Sequence, residues 1–189
     1  MGVCQSWIAI KGHSQQEVLA ALGLRPTGGR EDFAESPRSA ALLPSGFYLV
    51  VFGRTELTAS KLRQYSASLD LLFGFVEEHV MFSTVAAWRD SEELWSVVHD
   101  AQKGILHLEV NGSPPASFAA IRDRMIAEQK GEDLENPEVD HIFDIPVQLG
   151  ADLMGYRHDE EVRGLSDEAF EVLEPVKQGM FGRWNPFKK

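Results

Sequence analysis

The side chains best suited to chemistry lie in two short stretches of the C-terminal half. Asp140, His141 and Asp144 form the first stretch, and His158 opens the second, followed by the acidic run Asp159-Glu160-Glu161. Carboxylates and imidazoles together can bind a hard or borderline metal ion or act as general acid and base. The spacing does not match the HExxH pattern of zinc hydrolases, and Asp144 is also placed to cap a helix. A small metal-dependent hydrolase using Asp140, His141, Asp144 and His158 is therefore an alternative hypothesis rather than the favoured one.

Other candidates for catalysis are weaker. His79, His99 and His107 fall in or beside predicted strands and do not converge in the register predicted for those strands. Cys4 lies in an apolar run, as a small core residue does. The stretch from Arg25 to Arg30 has glycines and two bases, but it lacks the pattern of a phosphate-binding loop. The sequence therefore predicts no catalytic residue, no metal and no cofactor.

Negative charge is the strongest positive indication of function. The chain carries a net charge of −11, and within residues 128–174 fifteen acidic side chains stand against three basic ones. Such a surface repels nucleic acid and anionic membranes and attracts basic proteins, although it also serves ordinary solubility. We predict a non-enzymatic acidic binding protein, of the inhibitor or immunity type, that neutralises a basic toxin or enzyme. The residues expected to bind this partner are Glu132, Asp133, Glu135, Asp140, Asp159 and Glu160.

The last residues have a different composition. Segment 179–189 combines Met180, Phe181, Trp184 and Phe187 with basic residues and contains no acid. We expect this tail to pack back on the protein. The alternative is a contact between copies of the chain, which would make the protein an oligomeric structural subunit.

The composition restricts the cellular compartment in which the protein is expected. A single cysteine excludes an internal disulfide and suits a reducing compartment. No apolar run approaches the roughly 20 residues of a membrane helix, and no signal peptide is evident at the N-terminus. The sequence therefore predicts a cytoplasmic protein.

Residues 78–111 are predicted to form an antiparallel meander, because short apolar and aromatic runs alternate with polar turns. A turn centred on Ser91-Glu92 would place Trp88 opposite Trp95 on one apolar face, and Val97 opposite Leu108. A slip of one residue would move every side chain to the other face.

The remaining chain supplies strands and helices around this meander. Apolar runs predict strands near residues 3–10, 47–52 and 69–76. Ser14, Thr58 and Ser113 are predicted helix caps, and the proline- and glycine-rich segment 25–46 is predicted to be a loop. Two further helices are expected to begin near Asp144 and Ser166, the second ending at Pro175.

Together these elements predict an α+β protein. A mainly antiparallel sheet of about 5–6 strands, including the meander 78–111, would be covered by helices on one face. Residues 1–131 would form the core domain. Residues 132–189 would form an acidic linker, two helices and a tail packed on that core.

Overall fold

The computed structural model describes residues 2–132 and 138–176. Within them, one antiparallel sheet of nine strands is combined with four α-helices, so the predicted α+β class is confirmed. The strands are β1 (Cys4–Ile10), β2 (Leu24–Glu31), β3 (Arg38–Leu42), β4 (Tyr48–Gly53), β5 (Leu71–Glu77), β6 (Phe82–Arg89), β7 (Glu92–Asp100), β8 (Glu109–Gly112) and β9 (Phe170–Pro175). The helices are α1 (Gln15–Leu22), α2 (Ala59–Ser66), α3 (Ser117–Gln129) and α4 (Asp144–Met154).

The strand order across the sheet is β2-β9-β3-β4-β1-β5-β6-β7-β8. The run from β5 to β8 follows chain order, which confirms the predicted meander. The prediction of five or six strands is wrong. Two strands come from the segment expected to be a loop, and the last comes from the segment expected to be a helix.

Two of the predicted helix caps are confirmed by backbone hydrogen bonds. Ser14 and Glu17 form a reciprocal capping box at α1, and Gly23 ends that helix with φ 67°. Thr58 caps α2 by accepting a hydrogen bond from the Lys61 amide. Helix α3 begins without a side-chain cap, so the expected cap at Ser113 is wrong. All three helices nevertheless form where their sequences predict them.

Helix α4 begins without a side-chain cap, so the predicted cap at Asp144 is wrong, and the turn before the helix is capped instead. Asp144 is the first residue of the helix rather than its cap. Instead, the Asp140 carboxylate accepts a hydrogen bond from the Phe143 amide at 3.0 Å, one turn earlier. The capping carboxylate therefore belongs to one of the residues proposed for metal or partner binding.

Helices cover both faces of the sheet, which corrects the prediction of a single covered face. On one face, Leu19 of α1 and Leu62 of α2 pack with Ile8 and Phe73. On the other face, Ile121 of α3 and Leu149 of α4 pack with Val97. The protein is therefore a three-layer arrangement, with the sheet buried between two helix pairs.

The predicted register between β6 and β7, the first hairpin of the meander, is wrong by one residue. Ala87 lies opposite Trp95, and a bulge between Ala87 and Trp88 places Trp88 opposite Glu93. Trp88 consequently belongs to the α1/α2 face and Trp95 to the α3/α4 face, although both are buried. The turn itself uses Asp90 and Ser91, both with positive φ, so it lies one residue earlier in the chain than predicted.

The next strand pair is shifted by two residues. Val97 lies opposite Val110 rather than Leu108, because a 3-10 turn over Ala101–Lys103 lengthens the connection. A shift of two preserves the face on which each side chain lies.

After residue 131, the described residues contribute one helix and one strand, and β9 stands where the second helix was expected. Strand β9 lies inside the sheet, between β2 and β3. The division of the chain at residue 131 stays a prediction.

A tryptophan fixes α4 against the sheet. Trp7 of β1 lies directly opposite Gly74 of β5, in regular antiparallel pairing. A Cβ atom at Gly74 would lie 2.1 Å from the indole, and one at Gly150 of α4 would lie 2.9 Å from it. The two glycines therefore make room for the indole between strand and helix.

Among the helices of the described residues, none is long and apolar enough to cross a lipid bilayer.

Candidate functional site

The most deeply buried ionisable pair joins β7 to the segment before α4. The His99 side chain is inaccessible to solvent, and that of Asp140 is 6% exposed. His99 Nδ1 lies 2.7 Å from the carbonyl oxygen of His107, so it must carry a hydrogen. The 3.0 Å contact between His99 Nε2 and Asp140 Oδ2 then requires one further proton.

Neighbouring contacts show that this pair holds the start of α4. The buried Gln129 side chain donates to the carbonyl of Val139 and accepts from the amide of His141. Ser83 of β6 donates to the carbonyl of Phe143 at 2.7 Å. Asp140 is therefore an internal structural carboxylate, and it does not lie on an exposed acidic surface.

The other residues of the hydrolase hypothesis point to separate partners. His141 lies 3.6 Å from both Glu128 and Glu132. Asp144 is paired with Arg157 at 3.0 Å, and His158 is paired with Glu78 at 3.0 Å. In the part of the chain that the structure describes, no group of three or more His, Cys, Asp or Glu residues is placed to hold a metal ion.

The most distinctive surface feature is a cavity of about 550 Å³ near the start of β1 and the end of β4. Its apolar lining comes from the β2–β3 connection and from the segment between α4 and β9. These apolar residues are Phe33, Ala34, Val162, Leu165 and Phe170. The Phe33 side chain is 52% exposed, which leaves an aromatic ring available to a ligand.

Carboxylates dominate the polar lining of this cavity. Exposed acidic residues enter it from both segments, and they are Asp32, Glu35, Glu160, Glu161 and Asp167. Among the described residues of the lining, Arg54 supplies the one permanent positive charge. Arg54 has φ 54°, and its amide donates to the carbonyl of Cys4. We name these five carboxylates, Arg54 and the apolar lining the acidic cavity.

Buried polar pairs form the wall of the acidic cavity. Gln5 donates to the hydroxyl of Tyr156 at 3.1 Å. Burial raises the pKa of Tyr156 to about 12, so the phenol stays neutral. Beside it, His158 contacts one oxygen of Glu78, whose other oxygen accepts from the amide of Val3 at 2.7 Å. These hydrogen bonds fix the wall, and the exposed carboxylates stand in front of it.

Arg157 positions the acidic segment that leads to the rim. Its guanidinium contacts Asp144, Asp159 and Glu160. Burial opposes the charge of Arg157, but the two aspartates outweigh burial and raise the pKa of the guanidinium. Burial likewise opposes the charge of Asp159, and Arg157 lowers the pKa of that carboxyl below its usual value. The segment is thus anchored to α4 while Glu160 remains largely exposed.

The six carboxylates predicted to bind a partner do not form one patch. Asp133 and Glu135 lie outside the described residues. Glu132 lies beside His141, Asp140 is buried, and Asp159 is paired with Arg157. Only Glu160 among those that the structure describes lines the acidic cavity.

Sequence reasoning missed the other lining residues for a clear reason. Asp32, Glu35 and Arg54 are far in sequence from the acidic segment 128–174, and the fold brings them beside Glu161 and Asp167. The unusual length of the predicted loop 25–46 was the one available indication that this region serves a function.

No protein-family model matches the chain, and comparisons with curated proteins and with solved structures find no match.

Proposed function

We propose that this protein is a non-enzymatic binding protein that receives basic side chains of a protein partner in the acidic cavity. The observation that carries the proposal is five exposed carboxylates around a partly apolar cavity that contains one arginine. Lysine and arginine side chains combine an apolar stem with a charged head. The apolar lining suits the stem, and the carboxylates suit the charged head.

The electrostatic arrangement suits rapid association. Negatively charged carboxylates around a concave surface increase the rate at which a basic partner is captured. A rim of exposed charges contributes more to the association rate than to the final affinity. An inhibitor or immunity-type protein that neutralises a basic toxin or enzyme would use such a surface to intercept its target quickly.

The hydrolase alternative has less geometric support. Its four residues take part in separate contacts, with Asp140 on His99, Asp144 on Arg157 and His158 on Glu78. In the acidic cavity, the buried His158 is held by Glu78, and the phenol of Tyr156 receives a hydrogen bond from Gln5. These contacts favour a rigid wall rather than groups poised for proton transfer.

A nuclear magnetic resonance titration tests the proposal without knowledge of the natural partner. The ¹⁵N-labelled protein is titrated with the blocked peptide Gly-Arg-Arg-Gly, and with Gly-Glu-Glu-Gly as the acidic counterpart. We expect the arginine peptide to shift the amide resonances of residues 32–35, 54 and 160–167 in a salt-dependent way. The acidic peptide should leave these resonances in place.

Paired variants make the test specific. Replacing Glu160 and Glu161 by glutamine should weaken arginine-peptide binding about five-fold, the effect of two exposed ion pairs of about 0.5 kcal/mol each. The matched control replaces Glu92 and Glu93, an adjacent exposed glutamate pair at the start of β7. Equal losses in both variants, or shifts spread over all surface carboxylates, would reject the acidic cavity as the binding site.

A further inference from the structure

We propose that a second cavity, beside the start of α1, binds a small uncharged molecule rich in hydroxyl groups, of the monosaccharide class, through the buried hydroxyl of Tyr48. The cavity has a volume of about 610 Å³, within the usual range of small-molecule sites. Its lining includes Gln15, Arg30, Leu42, Tyr48 and Glu171, and we name it the Tyr48 cavity. It is a site additional to the acidic cavity and does not depend on the proposed function.

Strand pairing brings this lining together on the face of the sheet that carries α1. Tyr48 of β4 lies opposite Leu42 of β3, and Ala40 of β3 lies opposite Glu171 of β9. Glu171 in turn lies opposite Arg30 of β2. Directly paired residues of an antiparallel sheet present their side chains on the same face, and so do residues two apart in one strand. Four adjacent strands therefore contribute to one wall of the Tyr48 cavity.

Tyr48 is the feature of this lining that points to a ligand. It is 2% exposed, and within the described residues its buried hydroxyl has no hydrogen-bond partner. Native proteins rarely leave a buried hydroxyl unpaired, because the hydration lost on burial is then not replaced. The indole nitrogen of Trp88 is unpaired as well, but Trp88 does not line the cavity. A ligand in the Tyr48 cavity would give this hydroxyl its partner.

The hydroxyl of Tyr48 lies near the charged residues of the lining. Burial and, to a smaller extent, the Glu171 carboxylate raise the pKa of Tyr48 well above its ordinary value, so the phenol oxygen lies within the field of that carboxylate. The phenol therefore stays neutral and keeps a proton to donate. An acceptor atom on the ligand would receive that proton in a hydrogen bond.

The charges of the lining balance, which favours an uncharged ligand. Arg30 and Glu171 are its two charged residues within the part of the chain that the structure describes. Arg30 Nη2 lies 3.2 Å from Glu171 Oε1, and Arg30 Nη1 donates to the carbonyl of Glu168 at 3.1 Å. A charged ligand would compete with this ion pair, whereas an uncharged one can contact both members without separating them.

Hydroxyl groups are the ligand groups that match the rest of the lining. The side chains of Tyr48, Gln15 and Ser166 can each donate and accept hydrogen bonds. The ion pair adds donors on one side and acceptors on the other. A hydroxyl also donates and accepts, so neighbouring hydroxyls of one molecule can use these groups in either sense. Leu42, which is 54% exposed, adds apolar surface for the C–H groups of a sugar ring.

A nuclear magnetic resonance titration of the ¹⁵N-labelled full chain with glucose, galactose, mannose and myo-inositol tests the proposal. We expect at least one of these to shift the amide resonances of residues 15, 30, 40–48 and 171, with a dissociation constant of order millimolar, as suits so small a ligand. The charged sugars glucosamine and glucuronate should bind more weakly. Absence of shifts at these residues with all four uncharged compounds would overturn the proposal, and so would equal or tighter binding of either charged sugar.

Two tyrosine variants test the role of the hydroxyl. Tyr48→Phe should weaken sugar binding about five-fold, the effect of one hydrogen bond, without lowering the midpoint of thermal unfolding. The matched control is Tyr65→Phe, at a buried tyrosine on the same face that does not line the cavity, and it should leave sugar binding unchanged. Unchanged sugar binding in Tyr48→Phe would overturn the proposal. A lowered unfolding midpoint in addition would show that the hydroxyl binds an internal water only.

Two glutamine variants test the site at an exposed position, where the fold is not at risk. Gln15→Ala should weaken sugar binding about two- to five-fold through the loss of a hydrogen bond. Gln16→Ala, at the adjacent exposed glutamine that does not line the cavity, should have no effect. Equal losses in the two variants would overturn the site.

The two binding proposals fail separately. The cavities meet at Leu165 and Ser166, which line both, but the other resonances expected to shift do not overlap. Replacing Glu160 and Glu161 by glutamine should affect the arginine peptide and leave sugar binding unchanged, because neither glutamate lines the Tyr48 cavity. Loss of sugar binding in that variant would overturn the Tyr48 cavity as a separate site.

Discussion

At the scale of single residues, the pair His99–Asp140 makes a clear prediction about stability. Asp140→Leu leaves His99 Nε2 and the Phe143 amide without partners in a buried site, and should destabilise the fold by about 3–5 kcal/mol. Asp140→Asn can still accept from Phe143 and can donate to a neutral His99, so its cost should be nearer 1 kcal/mol. Chemical denaturation of both variants measures the difference. Equal costs would show that the side chain acts only by filling space.

Cys4 gives a prediction about reactivity. Burial, together with the Glu77 carboxylate that accepts from the thiol, raises the pKa of Cys4 to about 11. At about pH 8 the folded protein should therefore be alkylated about two orders of magnitude more slowly than an ordinary thiol. Iodoacetamide labelling against pH, with denatured protein as control, measures this. A folded-state profile that matches the denatured one would contradict it.

The raised pKa of Cys4 also determines how the stability of the fold changes with pH. A raised pKa means that the folded state favours the neutral thiol. The stabilisation that this pKa difference gives the folded state is complete below the pKa of an unfolded cysteine, about 8.5. It is lost as the pH rises through about 11. Alkaline conditions should therefore weaken the fold near the start of β1.

At the scale of elements, the contact of Trp7 with Gly74 and Gly150 sets the distance between sheet and helix. Gly74→Ala would place a Cβ atom 2.1 Å from the indole, and should cost about 2–3 kcal/mol. In a Trp7→Leu background the added methyl group has room, so the same substitution should cost less. Chemical denaturation of the single and double variants measures the coupling free energy between the two substitutions. Strict additivity would contradict the proposed packing.

The hairpin between β6 and β7 permits a stabilising change. Asp90 and Ser91 have φ 51° and 64°, values that glycine adopts without a steric penalty. Ser91→Gly should therefore stabilise the protein by about 1 kcal/mol. Ser68→Gly, at an exposed serine in the turn after α2, serves as the control in thermal unfolding. A loss of stability in Ser91→Gly would show that the side chain has a role that the backbone does not reveal.

The elements predicted correctly are those whose local sequence agrees with their position in the fold. Ser14 and Thr58 form caps with their own neighbours, and Val50 lies in an apolar run that becomes a central strand. Strand β2 was missed because Pro26 and the glycines that follow are typical of loops. Within residues 2–132 and 138–176 its one partner strand is β9, from which it is separated by more than a hundred residues.

Strand β9 was mistaken for a helix for a related reason. Glutamate and leucine supply half of Phe170–Pro175, and both favour helices in isolation. Its partners on either side, β2 and β3, decide its conformation instead. The wrong hairpin register follows from the Asp90-Ser91 turn and the bulge at Trp88, which hydrophobic alternation does not reveal.

At the scale of the whole molecule, the clustered carboxylates should reduce stability. Glu160 and Glu161 lie near other carboxylates, and the contact of the largely exposed Glu160 with Arg157 offsets only part of this repulsion. Replacing both by glutamine should therefore raise the midpoint of thermal unfolding by about 1–2 °C. The control pair Glu92 and Glu93 should give a smaller change. A gain in stability together with a loss of peptide binding is the expected compromise of a binding site. A loss of stability would show that the two glutamates support the fold.

The candidate site was only partly predictable at this scale. The excess of negative charge could be counted from the sequence, and Glu160 was identified from it. That Asp140 is buried, while Asp32 and Glu35 join the cavity, depends on long-range pairing of strands. Charge counts along the chain do not contain that information.

The place of β9 between β2 and β3 has a consequence for how the protein is made on the ribosome. Strand β2 is synthesised early, but its hydrogen-bonding neighbour emerges only when residues 170–175 leave the exit tunnel. Until then β2 and β3 each offer a row of unsatisfied amides and carbonyls to other nascent chains. The order of translation therefore leaves these two strand edges exposed throughout the interval between the synthesis of β3 and that of β9, and a chaperone that shields strand edges would help the protein most during that interval.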